Sequence, residues 1–336
     1  ALIRIAKKEP KFEWRGRSGE SGNPLFRGFQ KEIPEETQRY DEPVLIRLNT
    51  ESREELADGF PRTAEELFPD FSIVILDDVE ADFFSQDQQE LLGRFVSHRG
   101  GGLRMFGGQG SYRPGGWMNT EAARLLPVYL DRTRTSSPAS EATYEISREG
   151  WLEPWMRLHE EKSKELNRLV SMPKFYAINQ IDAIKPGAQM LAQVTDSERR
   201  LHPALVTQKY GEGKSAALLI GDVWRWGMKG PEQRADMERS WRQLIRWGAT
   251  DVPKQVEITK EETFSAGLPV TKLAVRVRDE AFEPLDDAAV RLVATNRSGE
   301  VKTFNAEPSL DEPGLFTAEY AKDDPTGYRI EATALD

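Results

Sequence analysis

Polar side chains that could bind or transform a ligand follow three apolar runs typical of buried strands. Ligands of an open α/β sheet bind beyond the carboxyl ends of its strands, so these side chains predict a shared pocket. Strand-end aspartates and glycines also cap helices and turns, and a purely structural role is the competing interpretation. The candidate ligand pocket consists of Asp77, Asp78, Gly107, Gly108, Gln109, Ser111, Asp222, Trp224 and Arg225.

The chemistry of this pocket is only partly specified. Ser111 lies where an α/β enzyme places its nucleophile, but it lacks the G-x-S-x-G frame. The backbone amides of residues 107–111 could instead hold an anion. The three aspartates Asp77, Asp78 and Asp222 could converge on Mg²⁺ or Ca²⁺, although their spacing matches no known ligand set. We therefore predict no catalytic residue, no metal and no cofactor.

Two other motifs fail on inspection. Residues 211–215 (GEGKS) resemble a phosphate-binding loop, but Gln208 stands where that loop needs glycine, and the segment precedes a strand. His159 begins the run HEEK, which lacks the second histidine of a zinc-binding helix. Neither motif predicts a site.

Composition excludes several functional classes. The 336 residues include 46 Lys and Arg against 56 Asp and Glu, a net charge of −10, which argues against a general nucleic-acid binder. The chain has no cysteine, so disulfides and cysteine nucleophiles are excluded. Its longest apolar runs are strand-sized, so this chain does not cross a bilayer by itself. Because it starts in mid-pattern, we expect a segment of a longer protein.

Secondary-structure signals place the pocket in an α/β domain. The apolar run 71–76, a helix after Ser85 and the run 103–106 form a strand–helix–strand unit, which predicts parallel strands. The pattern then predicts a helix over 152–170, a strand over 188–194, a hairpin over 204–220 and a helix over 232–247. After residue 252 only short, evenly spaced strands follow, which favours a small β-sandwich of immunoglobulin type.

The pattern of glycine and aromatic residues resembles a known family. The matching segments are Asp77–Asp78–Val79, Gly100–Gly101–Gly102, Gly107–Gly108, Gly115–Gly116–Trp117, Tyr210–Lys214, Asp222–Trp226 and Trp241–Trp247. In this pattern, residues 1–250 resemble the glutamine amidotransferase-like domains of large bacterial membrane proteins. That resemblance implies a flavodoxin-like, doubly wound sheet in a domain 1–252, followed by the immunoglobulin-like domain 253–336.

The resemblance also shapes the functional expectation. Glycine stands at 107 and 108, where the family's nucleophilic cysteine belongs, and Asp222 stands where relatives have histidine. Glutamine hydrolysis needs both a nucleophile and a base. The resemblance therefore implies a non-catalytic binding or assembly module, on the periplasmic side of a bacterial envelope protein. Its partners would be other envelope domains or the rest of its own chain, with membrane attachment only through flanking segments and no nucleic acid.

Two alternatives stay open. The first is a hydrolase or binding protein for a sugar-like ligand, with Asp222 or Asp77 as the base and stacking on Trp117, Trp224 and Trp226. The second is a structural spacer whose groove is closed by its own loops. Burial of the tryptophans would count against the first alternative.

Overall fold

The computed structural model describes residues 2–4, 45–47, 60–132, 141–265, 268–321 and 328–335. The chain divides into two compact units, residues 1–61 and 62–336. In the first unit, strands β1 (Leu2–Arg4) and β2 (Leu45–Arg47) pair in antiparallel fashion. The glycine-rich stretch between them, and with it the irregular structure predicted there, lies outside the described residues.

A six-stranded mixed sheet forms the centre of the larger unit. Its strands are β3 (Ile73–Asp77), β4 (Gly102–Phe106), β5 (Ala142–Ile146), β6 (Gln189–Asp196), β7 (Leu201–Tyr210) and β8 (Gly213–Leu218), in the spatial order β3-β4-β8-β7-β6-β5. The strands β3, β4 and β8 run parallel, and the other pairs are antiparallel. The strand–helix–strand unit and the β7–β8 hairpin are confirmed. The flavodoxin-like assignment stays a prediction.

The helices follow local signals in most places. They are α1 (Ala64–Leu67), α2 (Gln86–Ser97), α3 (Glu121–Leu125), α4 (Arg148–Leu152), α5 (Lys162–Ser171), α6 (Trp224–Met228) and α7 (Pro231–Ala249). Helix α2 begins with a capping box, in which the Ser85 hydroxyl accepts from the Gln88 backbone and the Gln88 side chain accepts from that of Ser85. This pairing satisfies two backbone N–H groups that the helix itself leaves unbonded.

The continuous helix predicted over 152–170 is wrong. The chain instead forms α4, a short 3₁₀ turn at Pro154–Met156, and then α5. Glu153 is extended, with φ −85° and ψ 110°. The residue before a proline is disfavoured in the helical conformation. Glu153 precedes Pro154, so helix α4 ends at Leu152. The irregular segment 153–161 between the two helices forms part of a surface cleft described below.

A hydrophobic core lies between this sheet and α7. Side chains of β6, β7 and β8 are buried there together with Trp226 and Leu244. Aromatic pairs reinforce the contact: Phe106 lies 4.8 Å from Trp241, and Trp155 stacks on Trp247 at 5.1 Å between ring centroids. The broad apolar face predicted for residues 232–247 therefore packs against the sheet, as the helical spacing of its apolar residues indicates.

Two further sheets follow residue 255. The strands are β9 (Val256–Ser265), β10 (Leu268–Val277), β11 (Ala289–Asn296), β12 (Val301–Asn305), β13 (Glu307–Pro308), β14 (Leu315–Ala321) and β15 (Tyr328–Leu335). One sheet has the order β13-β14-β10-β9 and the other β12-β11-β15. Leu273, Val275, Leu292 and Phe316 fill a common core between them. The immunoglobulin-like assignment and the boundary at residue 252 stay predictions.

A buried arginine joins these β-sheets to the rest of the larger unit. Arg99 follows α2, and 3% of its surface is exposed. Its Nε donates to the Phe68 carbonyl at 2.9 Å, and its Nη1 donates to the Pro253 carbonyl at 2.7 Å. The guanidinium carbon lies 4.0 Å from the ring centroid of Phe282. One side chain thus bonds to segments on both sides of residue 252.

Candidate functional site

The strand ends that carry the predicted pocket do lie side by side. A Cβ added at Gly107 would lie 2.6 Å from the Ile220 carbonyl carbon, so the backbones after β4 and β8 are in direct contact. Asp78 lies against Gly108 and Gly110 in the same place. Strands β3, β4 and β8 pair in parallel, so their carboxyl ends lie at the same edge of the sheet.

The glycine-rich turn after β4 is bonded to two side chains. The Asn179 amide accepts from Gly108 N at 3.0 Å and donates to Gly108 O at 2.9 Å. The Asp78 carboxylate accepts from Gly110 N. The amides of Gly108 and Gly110, which we expected to be able to hold an anion, therefore already donate to the protein. A Cβ at Gly108 would lie 2.3 Å from Asp78 Oδ1, so a side chain here would displace the carboxylate that bonds to Gly110 N.

Gly115 closes the same turn, and its replacement by alanine is expected to lower the free energy of unfolding by more than about 3 kcal/mol. The new Cβ would lie 1.9 Å from the carbonyl oxygen of Gly110, which is backbone and cannot rotate away. Urea unfolding measures the effect, and Gly116→Ala is not a suitable control because of its positive φ. Gly93→Ala, whose Cβ would meet no atom within 4 Å, is the matched control. Equal stability of the Gly115 and Gly93 variants would contradict this packing.

Asp222 acts as a backbone clamp. Its Oδ2 accepts from Tyr176 N at 3.0 Å, and its Oδ1 accepts from Ala177 N at 3.2 Å. Arg225 Nε lies 3.6 Å from Oδ2, and only 7% of Asp222 is exposed. Because both carboxylate oxygens already accept hydrogen bonds, Asp222 does not present a base to a ligand.

The remaining predicted pocket residues differ in their exposure to solvent. Asp77 and Gln109 are exposed, and Ser111 is buried. Asp77 reaches solvent, but nearby protein still partly desolvates its carboxyl; this desolvation, followed by the negative charge of Asp78, raises its pKa above the ordinary value. Within the described ranges, no group of three or more His, Asp or Glu side chains is arranged to hold a metal ion.

The tryptophans expected to serve as stacking platforms divide into two kinds. Trp117 is fully buried and donates from its indole nitrogen to the Val79 carbonyl at 2.8 Å. Trp226 is 3% exposed and belongs to the core between the sheet and α7. Both are therefore corrected to core residues. Trp224, by contrast, is 56% exposed.

Trp224 is part of an exposed aromatic surface. We call the residues Tyr176, Trp224 and Arg225 the Tyr176–Trp224 face. Tyr176 is 46% exposed, and the Arg225 guanidinium carbon lies 4.8 Å from its ring centroid and 5.8 Å from that of Trp224. Tyr176 could not be assigned to this face from the sequence, because it lies 46 residues before Asp222, whose carboxylate holds its backbone.

Comparisons with known proteins give weak similarities. No family model and no curated protein match the chain. Among solved structures, a β-galactosidase from Rahnella sp. R3 matches with a TM-score of 0.33 and 13% identity, over 79% of this chain and 32% of that chain. A β-galactosidase from Bacillus circulans sp. alkalophilus matches with a TM-score of 0.29 and 14% identity, over 74% of this chain and 33% of that chain. An exo-β-1,4-mannosidase from Opitutaceae bacterium strain TAV5 matches with a TM-score of 0.31 and 16% identity, over 53% of this chain and 25% of that chain.

This chain therefore spans about a third of the length of the β-galactosidases it resembles. At TM-scores below 0.5, the likeness is too weak to transfer a fold or an activity. The expected resemblance to glutamine amidotransferase-like domains is corrected, because no family model matches the chain. The function expected from that resemblance, a degenerate amidotransferase module of the bacterial envelope, is corrected as well. None of the described helices has the length and apolar character needed to span a membrane.

Proposed function

We propose that this chain binds a sugar-like ligand on the Tyr176–Trp224 face. The observation that carries the proposal is the pair of half-exposed aromatic rings, both within 6 Å of the same guanidinium carbon. Tyrosine and tryptophan are enriched at binding interfaces, because each combines a large apolar ring with a polar group. An aromatic ring supplies a flat, rigid contact area for the C–H face of a sugar ring.

Arg225 supplies polar recognition beside the rings. A guanidinium carries five N–H donors and no acceptor, so it can donate to the hydroxyl or ring oxygens of a sugar. About 40% of the Arg225 side chain is exposed. Its Nε is buried and makes no hydrogen bond, because Asp222 Oδ2 is 3.6 Å away. Asp222 therefore lies near the cation while its hydrogen bonds hold the Tyr176 backbone.

The support beneath the face is rigid, which lowers the entropic cost of binding. Asp222 fixes the backbone of residues 176 and 177. Helix α6, which begins at Trp224, packs closely on α7: a Cβ at Gly227 would lie 2.5 Å from the Met237 methyl group. Lys229 also donates to the Ser171 carbonyl at 2.6 Å. The rings are thus presented on bonded, packed elements.

Binding is better supported than sugar hydrolysis at this edge of the sheet. Glycoside hydrolysis uses two carboxyl groups on either side of the scissile bond, one of which must give or take a proton. The Asp222 carboxylate accepts from two backbone amides, and Asp78 accepts from Gly110 N. Both carboxylates are therefore already engaged with the backbone as structural groups.

Affinity electrophoresis in gels containing galactan, mannan or β-glucan tests the proposal. We expect at least one polysaccharide to retard the protein, and Trp224→Ala and Tyr176→Ala each to weaken that binding about tenfold, a value typical of one lost aromatic contact. Leu201→Ala removes an exposed apolar side chain elsewhere on the sheet and is the matched control. Unchanged retardation in both aromatic variants, or no retardation by any of the three, would overturn the proposal.

A further inference from the structure

A surface cleft that plays no part in the proposed function lies where α4 gives way to α5. Its volume is about 490 Å³, within the range of about 300–1,000 Å³ typical of small-molecule sites. We call it the Trp151 cleft, and its lining residues are Trp151, Arg157, His159, Glu160, Lys162 and Leu166. It shares no residue with the Tyr176–Trp224 face.

The cleft is positively charged within an acidic protein. Arg157 and Lys162 line it against the single carboxylate of Glu160, whereas the chain as a whole has a net charge of −10. Arg157 lines the cleft, and its guanidinium can donate charge-assisted hydrogen bonds to an anionic group there.

An aromatic wall stands beside these cations. Trp151 and Leu166 line the cleft, and Lys162 Nζ lies 6.0 Å from the ring centroid of Trp151. A ligand ring that stacks on Trp151 would therefore place a substituent within reach of the Lys162 ammonium. Arg157 adds a planar guanidinium suited to carboxylate and phosphate oxygens.

The segment that carries Arg157 and His159 is held in place by buried groups. The Glu165 carboxylate accepts from Leu158 N at 3.2 Å and from His159 N at 3.0 Å. Helix α7 adds two bonds, from Arg239 to the Leu158 carbonyl at 3.2 Å and from Gln243 to the Arg157 carbonyl at 3.3 Å. Because its backbone is fixed in this way, the cleft is largely formed before any ligand enters.

We infer that the Trp151 cleft binds an anionic sugar, with its ring on Trp151 and its carboxylate or phosphate on Arg157 and Lys162. The two anions share the chemistry that the cleft recognises, and the experiment separates them. This inference does not depend on the proposed function, because the two sites have no residue in common.

Isothermal titration calorimetry at low salt tests the inference with glucuronate, glucose 6-phosphate, neutral glucose and inorganic phosphate. We expect at least one of the charged sugars to bind about tenfold more tightly than glucose or phosphate, since one charge-assisted contact is worth about that factor. The tighter of the two identifies the preferred anion. Binding of glucose equal to that of the charged sugars would overturn the role of charge, and binding of phosphate equal to that of glucose 6-phosphate would overturn the role of the ring.

Point variants of the cleft residues test whether the charged sugar binds in the Trp151 cleft. Lys162→Met and Arg157→Met should each weaken it about tenfold, and Lys162 is exposed, so its variant is expected to fold even if that of Arg157 does not. Lys164→Met is the matched control, because Lys164 lies on the same helix but pairs with Glu161. An equal loss with Lys164→Met, or no binding of either charged sugar, would overturn the inference.

Discussion

Replacing Glu165 with glutamine is expected to lower the free energy of unfolding by about 3–5 kcal/mol, the range for breaking a buried ion pair. Glu165 is fully buried, and its Oε1 accepts from Arg168 Nε at 3.0 Å and also from Nη2. Its Oε2 accepts from the backbone of Leu158 and His159. Glutamine has one acceptor oxygen, so its amide nitrogen must face either the guanidinium or two N–H groups, and the Arg168 charge loses its partner.

Urea unfolding followed by circular dichroism measures this loss. Glu161→Gln is the matched control, because Glu161 precedes the same helix but its side chain is 60% exposed. We expect that variant to differ from wild type by less than about 1 kcal/mol, as exposed ion pairs do. A similarly small change for Glu165→Gln would show that the buried pair does not hold the segment 157–159 in place.

Replacing Arg99 with alanine is expected to cost about 2–4 kcal/mol, from lost charge-assisted hydrogen bonds, cation–π contact and buried packing. The substitution leaves the Phe68 and Pro253 carbonyls without their donor. It also removes the guanidinium from the ring of Phe282. Because these contacts link segments on both sides of residue 252, we expect the β-sheets that follow to unfold more independently of the rest.

Differential scanning calorimetry tests whether the segments on the two sides of residue 252 unfold together. The Arg99 variant should broaden or split the main transition, whereas Arg94→Ala should not. Arg94 is an exposed arginine of α2 whose guanidinium lies 5.8 Å from the ring centroid of Phe68. A single sharp transition at the wild-type temperature in the Arg99 variant would contradict the linking role.

Two site predictions failed for the same physical reason. Asp222 and Trp117 have residue types that suit catalysis and sugar stacking, but each one's role is set by its neighbours in space. The Asp222 carboxylate accepts from the backbone of residues 176 and 177, about 45 positions earlier in the chain. Trp117 donates to the carbonyl of Val79, which is 38 positions away. No local pattern reports such partners.

The Trp151 cleft was missed for a related reason. The apolar residues of 152–170 have helical spacing, which predicted one continuous helix. The break at Pro154 and the buried carboxylate of Glu165 instead fold the segment 157–160 into a wall of the cleft. The signal that could have revealed it was Pro154 itself, since proline removes a backbone donor and restricts the residue before it.

The sequence alone determined most of the strands and helices, because those choices depend on local forces, but it did not reveal β5 or the break at Pro154. The run before Asp77 is apolar enough for a buried strand, and Ser85 and Gln88 cap α2 within four residues of each other. Tertiary structure alone decided which polar and aromatic groups reach solvent. Asp222 is bonded to distant backbone and Trp117 is covered by the core, while Trp224 stays exposed. Burial and hydrogen bonding depend on contacts between residues far apart in the chain, and these form only when the sheet and helices pack.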